Sequence, residues 1–300
     1  AIDGETKMIE RVGVVGAGVM GMGIANSAAR GGFKVSIRDI DPAREQLARD
    51  TGLEVAGSAA AIGSQCDALF IVVVDAGQID AVLAGPQGLL PALSPGKLVL
   101  LCSTISPVDS ARFAAAIRAT GAAVLDAPIS GGPARAQAGT MSMMLAGDPA
   151  TLEHATALLD AVAGKRFVIS AQPGDAAKAK LVNNLMAGIH LMAGAEALAL
   201  AERLGLDAQQ MSALISASSG QSWMFDDRMP RALAGDFEPR AQSHVLTKDV
   251  RLANEAAAAA GLSLPLGAMA SELLQATCEG GWRTEDDAAA LKYYRRRFAG

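Results

Sequence analysis

Two hydrophobic patterns divide this 300-residue chain. Up to about residue 170, short unbroken apolar runs alternate with segments of helical period; beyond residue 174 the helical period continues alone. A first buried strand starts at Val12 and runs straight into a cluster of glycines. Further strands are predicted over 34–37, 68–74, 97–102, 122–125, 142–146 and 167–169. The run at 68–74, Ala-Leu-Phe-Ile-Val-Val-Val, has no polar alternation, as expected of a strand covered on both faces. Helices are predicted over 19–30, 78–84 and 108–120. Ser106-Pro107 opens the last of these, with serine as N-cap and proline in the first turn. Alternation of this kind implies a mostly parallel, doubly wound sheet.

The second half carries a single long helical segment, 175–204, ended by Gly205. At 1.5 Å per residue it is about 45 Å long, which is long for a globular helix. Its apolar residues spread widely around the axis, so burial on several sides is expected, by a second domain or a partner subunit. Helices over 208–216, 225–234, 247–260, 266–279 and 285–298 follow, punctuated by Pro265 and Gly280-Gly281. The expected organisation is an α/β domain over 1–172 and an all-α domain over 173–300, joined by the long interdomain helix.

The glycine cluster reads Gly16-Ala17-Gly18-Val19-Met20-Gly21. The first glycine makes the tight turn, the second lets a pyrophosphate approach the main chain, and the third lets helix and strand pack closely. The helix that follows points free N–H groups and its positive dipole end at the phosphates. Asp39 closes the second strand eighteen residues after Gly21, where the ribose-binding acid of a dinucleotide site belongs. This context makes the first domain a Rossmann domain. In such sheets ligands bind beyond the carboxyl ends of the strands. Those ends carry Gly16, Asp39, Val74-Asp75, Ser103-Thr104 and Asp126.

Composition narrows the picture. Aromatic residues make up 4% of the chain and apolar residues 51%, so the core is built from Ala, Val, Leu and Ile. The net charge is −5 with mixed signs, and there is no basic stripe with interleaved aromatics for nucleic acid. Arg295-Arg296-Arg297 reads as a solvated helix end. Cys66, Cys102 and Cys278 have neither metal-ligand spacing nor an even count for a disulfide framework. Every long apolar stretch has polar interruptions, so no membrane span is expected. Residues Ala1 to Lys7 are polar and lack an apolar leader core; they read as an added or disordered end. The default compartment is the cytoplasm.

Four segments carry candidate chemistry. Lys180 and Asn184 lie four apart and share a helical face, where an ammonium and a carboxamide can hold a substrate oxygen and move its proton. Lys178 points elsewhere. Taken alone, Lys180 also fits a solvated lysine near a helix start. Ser130-Gly131-Gly132-Pro133 follows a strand and can form an anion nest or merely a turn. The Ser103-Thr104 hydroxyls suit a ligand or a helix cap. Thr247-Lys248-Asp249, inside a helical pattern, fits a surface ion pair.

Five motifs in this order resemble the β-hydroxyacid dehydrogenases, which include 3-hydroxyisobutyrate dehydrogenase and tartronate semialdehyde reductase. They are Gly16-Ala-Gly18-Val-Met20-Gly21, Ser103-Thr104-Ile105-Ser106-Pro107, Asp126-Ala-Pro-Ile-Ser130-Gly131-Gly132, Lys180-x-x-Asn183-Asn184 and Lys248-Asp249. The resemblance covers residues 11–298. Within the family, Asp75-Ala-Gly-Gln78, Gly220-Gln-Ser-Trp223-Met-Phe225 and Asp286-Asp287 look most like the L-threonate dehydrogenase subgroup. The resemblance implies that Lys180 is the general acid/base and that Asn184 orients it or the substrate. Ser130, Gly131 and Gly132 would grip the substrate carboxylate, with Asn183 and Trp223 beside it. Thr104 and Lys248 would contact the nicotinamide end of the cofactor, and Val74 and Asp75 would line its path.

Two positions depart from the family pattern. Gly174-Asp175-Ala176 replaces a Gly-x-Gly before the lysine helix. Ile40 replaces an arginine common in NADP-preferring members, which favours NAD over NADP. Alternation along the second strand sends Arg38 to the side away from Asp39. The expected substrate is a small hydroxy acid, held between sheet and long helix, with no metal and a homodimer or homotetramer as the working assembly. A 2-hydroxy-3-oxopropionate reductase is the alternative. An imine reductase would usually lack the lysine, and a non-catalytic NAD-binding protein would have no use for the Lys180/Asn184 pair.

Overall fold

The computed structural model describes residues 8–299; the expectation about Ala1 to Lys7 lies outside them. The chain forms two compact units, one ending at Lys180 and the other starting at Leu181. The first contains β1 (Arg11–Val15), α1 (Val19–Arg30), β2 (Lys34–Arg38), α2 (Pro42–Asp50), β3 (Glu54–Val55), α3 (Ala59–Gln65), β4 (Ala68–Ile71) and α4 (Ala76–Ala84). It continues with β5 (Leu98–Leu101), α5 (Pro107–Arg118), β6 (Ala123–Asp126), β7 (Ile129–Ser130), α6 (Gly132–Ala138), β8 (Met141–Ala146), α7 (Pro149–His154), α8 (Thr156–Val162) and β9 (Ala163–Ser170). The long helix α9 (Asp175–Arg203) runs from the first unit into the second. The second unit adds α10 (Ala208–Ser216), α11 (Trp223–Leu233), α12 (Ser243–Ala259), α13 (Pro265–Thr277) and α14 (Ala290–Phe298).

Among the described residues the sheet has nine strands, in the order β3-β2-β1-β4-β5-β6-β8-β7, with β9 paired to β8. From β3 through β6 every pair is parallel. This is the doubly wound order, whose ligand crevice opens where the winding reverses, between β1 and β4. Beyond β6 the sheet turns mixed: β8 runs antiparallel to β6 and β7 and parallel to β9. Alternation distributes the strand residues to two cores. Val12, Val14, Phe70 and Leu100 face one, and Val15, Leu69, Ile71, Val99 and Leu101 face the other. Both faces are covered, which explains the uninterrupted apolar runs. The all-α unit has its own core around Leu191, Leu198, Phe225, Met229, Val250, Leu274 and Tyr294.

Several element boundaries differ from the pattern-based expectation. The strand expected over 68–74 stops at Ile71. The reason is local: the Val73 N–H donates to the Ser103 hydroxyl at 3.1 Å and the Val74 N–H to the Gln78 side chain at 2.9 Å, so the chain leaves the ladder. Asp75 then caps α4, accepting from the Gln78 N–H at 2.9 Å, which starts the helix two residues earlier than expected. Ser222 caps α11 in the same way, so that helix begins at Trp223. The helix expected from 285 begins at Ala290, because Asp286 first caps a single tight turn over Asp287–Ala289. The helices α2, α3, α6, α7 and α8 do not stand out in the pattern: the last four have six or seven residues, too few to show a period, and α2 buries only Ala48.

The compact units divide at Lys180, eight residues past the expected boundary at 172. The first turns of α9 belong with the sheet: Ala176 and Ala179 pack on Met144 and Ala146. One buried carboxylate fastens them. Asp126, at the end of β6 and 2% exposed, accepts from the Gly174 N–H at 2.7 Å and the Ala177 N–H at 3.0 Å. These are helix-start donors with no partner inside the helix, and the positive end of the helix suits the charge. Gly174, at φ +103°, makes the turn into α9, and Ala176 is fully buried. The missing second glycine of the family pattern therefore falls where the helix has already begun. By length and mean hydropathy α9 is able to cross a bilayer, in contrast to the sequence expectation, but half of its most apolar window is buried inside the protein.

Replacing Asp126 by alanine leaves two buried N–H groups without an acceptor. At about 1–3 kcal/mol for a buried unsatisfied group, Asp126→Ala should lower the urea midpoint clearly. Asp126→Asn keeps a carbonyl acceptor and should lower it less. Equal midpoints for the two variants would show that the carboxylate does not hold the helix.

Candidate active site

The glycine turn has the geometry its spacing demands. Gly16 has φ +102°, and a Cβ there would come within 2.2 Å of the Val72 carbonyl oxygen. A Cβ on Gly21 would sit 1.8 Å from the Gly16 carbonyl oxygen, so helix and turn touch backbone to backbone. Gly18 differs: a Cβ there meets nothing within 4 Å. The space above Gly18 is open at the start of α1, the place where a pyrophosphate would lie on the helix N-terminus. Ala17 is buried, Val19 is exposed, and Met20 packs against the sheet core.

Asp39 lies beside this turn because β1 and β2 pair Val15 with Arg38. Its carboxylate accepts from the Ala17 N–H at 2.5 Å and the Asp41 N–H at 2.8 Å. Charge-assisted bonds of this kind fix the acid at the mouth of the turn. Arg38 does not point away as alternation suggests. Its guanidinium bends back to the carbonyl of Asp39 and to the Glu45 carboxylate. The long side chain lets the cation follow Glu45 on α2 rather than the strand's pleat. Ile40 is 90% exposed. An open cradle over Gly18 and an anchored acid at the next strand end fit a dinucleotide.

The remaining candidates of the first unit follow the strands of the same carboxyl edge. Val74 and Asp75 follow β4, with Val74 exposed and Asp75 capping α4. Thr104 follows β5 and is partly buried, while the neighbouring Ser103 hydroxyl is occupied by the Val73 N–H. Ser130 ends β7, and Gly131 and Gly132, at φ +128° and +73°, turn the chain into α6. Burial pushes the Asp126 carboxyl upward, opposed by the N–H groups of Ala177 and Gly174. Burial raises the Cys102 thiol well above its ordinary value, which keeps it inert.

On α9 the two lysines separate. Lys178 is exposed and pairs with Asp175 at 2.6 Å. Lys180 is buried, 7% exposed, and so is Asn184 one helical turn later. A solvated lysine is thereby excluded. Asn184 is held from two sides: its Nδ2 donates to Asp249 at 2.6 Å and its Oδ1 accepts from the Asn183 amide at 3.0 Å. Asp249, 4% exposed, also pairs with Lys248 at 2.8 Å. Thr247, Lys248 and Asp249 are therefore not a surface ion pair. Thr247 and Asp249 are buried and Lys248 is partly buried, and Thr247 bonds the Ser243 carbonyl at 2.8 Å. Asp249 was not among the expected site residues. Its adjacency to Lys248 was visible, but its partner Asn184 lies 65 positions away.

Trp223 stands outside that hydrogen-bonded group. It opens α11 with its ring half exposed, 5.6 Å from the Arg228 guanidinium. Arg228 is buried and donates to Asp287 at 2.6 Å and to Asp227. Burial pushes the Asp287 carboxyl up to about 6, against the pull of Arg228. Burial alone would raise the Asp286 carboxyl as well. Backbone donors from Arg240 and Ala288, with the Arg228 and Arg231 cations, outweigh that and hold it low.

The chain is similar to known proteins over nearly its whole length. A family model described as the NAD binding domain of 6-phosphogluconate dehydrogenase matches residues 11–170. Another, described as "NAD-binding of NADP-dependent 3-hydroxyisobutyrate dehydrogenase", matches residues 174–294. L-threonate dehydrogenase of Cupriavidus necator is 38% identical over 96% of this chain and 97% of its own length. 2-Hydroxy-3-oxopropionate reductase of Escherichia coli is 31% identical over 94% of this chain and 95% of its own. The crystal structure of a 3-hydroxyisobutyrate dehydrogenase from Salmonella typhimurium superposes with a TM-score of 0.89 at 37% identity, covering 94% of this chain and 99% of that one.

The three glycines have separable roles. Gly18→Ala should keep the parental melting temperature and weaken dinucleotide binding, since its methyl fills only the open cradle. Gly21→Ala should lower the melting temperature, since its methyl strikes the Gly16 backbone. Dinucleotide titration alongside thermal unfolding checks both, and an unimpaired Gly18→Ala protein would remove that cradle from the site.

Proposed function

Because this chain belongs to the β-hydroxyacid dehydrogenase family, the family of 3-hydroxyisobutyrate dehydrogenase, we propose that it oxidises a small hydroxy acid of the L-threonate type with NAD, using Lys180 as general base. The observation that carries this reading is a buried lysine one helical turn before a buried, doubly anchored carboxamide. Lysines are mostly exposed, so the burial of Lys180 sets it apart from Lys178 on the same helix. Asn184 spends one amide hydrogen on Asp249, which leaves the other for a substrate oxygen. The L-threonate preference rests on the likeness to the L-threonate dehydrogenases.

The chain's own residues divide the work. Gly16 to Gly21 and Asp39 hold the dinucleotide, with Val74, Asp75, Thr104 and Lys248 along the rest of it. Ser130, Gly131 and Gly132 bind the substrate carboxylate through hydroxyl and backbone N–H groups, and Asn183 and Trp223 line the remainder. Lys180 takes the proton from the substrate hydroxyl, and Asn184 orients that oxygen. When bound, NAD supplies the hydride acceptor, and the protein supplies position and charge. Asp39 supports NAD over NADP: a 2′-phosphate beside its carboxylate meets a repulsion of roughly 4 kcal/mol at ~4 Å and an effective dielectric near 20, before screening. Arg38 offers little relief while Glu45 holds it.

The assembly we propose is a homodimer or homotetramer. Val182, Met186, Ala193, Ala197, Leu200 and Leu204 are all exposed and fall on one stripe of α9 and its end. A second copy covering that stripe would complete the burial expected for so apolar a helix.

Activity is tested with L-threonate, glycerate, 3-hydroxyisobutyrate and, for reduction, tartronate semialdehyde, each with NAD and NADP cofactors, by NAD(P)H absorbance. L-threonate should be oxidised, with kcat/KM about tenfold to a hundredfold higher for NAD. Lys180→Ala should lose ~10² to 10⁴ in rate, the usual worth of general acid–base catalysis, and Lys178→Ala should lose little. The opposite ranking of the two lysines would overturn the assignment. By light scattering at micromolar concentration the protein should exceed the monomer mass, and a fully active monomer would refute the proposed assembly.

A further inference from the structure

The all-α unit buries a cation that the reaction described above does not use. Arg228 lies on α11, 7% exposed, and its guanidinium is anchored by carboxylates. Nε donates to Asp287 Oδ1 at 2.6 Å, Nη2 approaches Asp287 Oδ2 at 3.4 Å, and Nη1 donates to Asp227. Asp286 stands 3.8 Å away and is itself fastened by the backbone N–H groups of Arg240, Ala241 and Ala288. The carboxylates therefore fix the plane of the guanidinium. Its centre lies 5.6 Å from the centroid of the Trp223 indole, within the range of a cation–π contact. Trp223 is the first residue of α11 and 45% exposed. An indole so open, at a helix end, has few neighbours to hold its rotamer.

We propose that Arg228, locked by Asp287, is a positioning residue that braces the Trp223 indole and thereby sets how tightly the enzyme binds its hydroxy acid. This rests on the reading above that Trp223 lines the substrate site. Charge alone does not make the brace. The guanidinium is planar and gripped in its plane, by Asp287 at Nε and Nη2 and by Asp227 at Nη1, which leaves its faces free to meet a ring, whereas a lysine ammonium is a compact, strongly hydrated point charge. A buried Arg–Asp pair is a costly way to stabilise a helix unit, since apolar residues of the same volume often serve as well or better. Its retention beside an open aromatic fits a requirement for orientation.

The test uses the full-length enzyme in a Trp282→Phe background, which leaves Trp223 as the sole tryptophan of the two in the chain. Arg228→Lys is the informative variant, because it keeps a cation for Asp287 and removes the planar face. Acrylamide quenching of Trp223 should rise about twofold and its anisotropy should fall. KM for L-threonate should rise about tenfold, the scale of a lost cation–π contact, with kcat and the KM for NAD within twofold. Asp287→Asn should shift all of these readouts in the same direction. Arg228→Met strands a buried carboxylate and serves only as a stability control. Arg228→Lys with parental quenching and parental KM overturns the proposal, and so does a rise in KM with no change in quenching. Trp223→Phe separates the two levels. A parental KM in that variant overturns the substrate contact itself, while the quenching change in Arg228→Lys reports the brace without any turnover.

Discussion

One buried carboxylate fastens the start of the long helix that carries the proposed base. Asp126 ends β6 and accepts the Gly174 and Ala177 N–H groups at the entry to α9. Taking a carboxylate out of water is costly unless hydrogen bonds and opposite charge replace the lost hydration. Here two helix-start donors and the positive end of a 29-residue helix do so. The result is a helix start fastened to the carboxyl end of β6. Lys180 follows Ala177 by three residues, so a shift of this anchor is a shift of the proposed base. Displacements of about 1 Å at such groups can cost a hundredfold in rate.

The carboxyl edge of the sheet and the all-α unit solve different problems. At the sheet edge, backbone does the work. The turn at Gly16 to Gly21 is packed so closely that side chains are forbidden at two of its glycines, and it leaves open space only above Gly18. In the all-α unit, paired charges do the work. Buried Asn184 and Asp249 with partly buried Lys248 form one group, and Arg228 with Asp287 forms another. Apolar packing around Phe225, Met229 and Tyr294 fills this unit's core, and charge-assisted hydrogen bonds add direction. Asp249 leaves Asn184 with a defined amide orientation, which a carboxamide in a purely apolar pocket would lack.

The order of the longer elements, the two-part organisation and the dinucleotide motif were legible in the sequence. Apolar runs without alternation mean strands buried on both faces, glycine spacing meets strict backbone limits, and family motifs kept their order along the chain. These are local properties, carried by neighbouring residues. The same holds for Asp39, whose place follows from strand length and a parallel register.

What folding added lies between residues far apart. The burial of Lys180, the link from Asn184 to Asp249 and the pairing of Arg228 with Asp287 depend on groups that no local pattern connects. The end of β4 at Ile71 is decided by Ser103, thirty residues on, which takes the Val73 N–H away from the ladder. Arg38 follows Glu45 instead of its strand. The physical reason is common to all of these. Periodicity and turn chemistry act through adjacent residues, whereas the environment of a polar side chain is set by whichever distant group packing brings within hydrogen-bond reach.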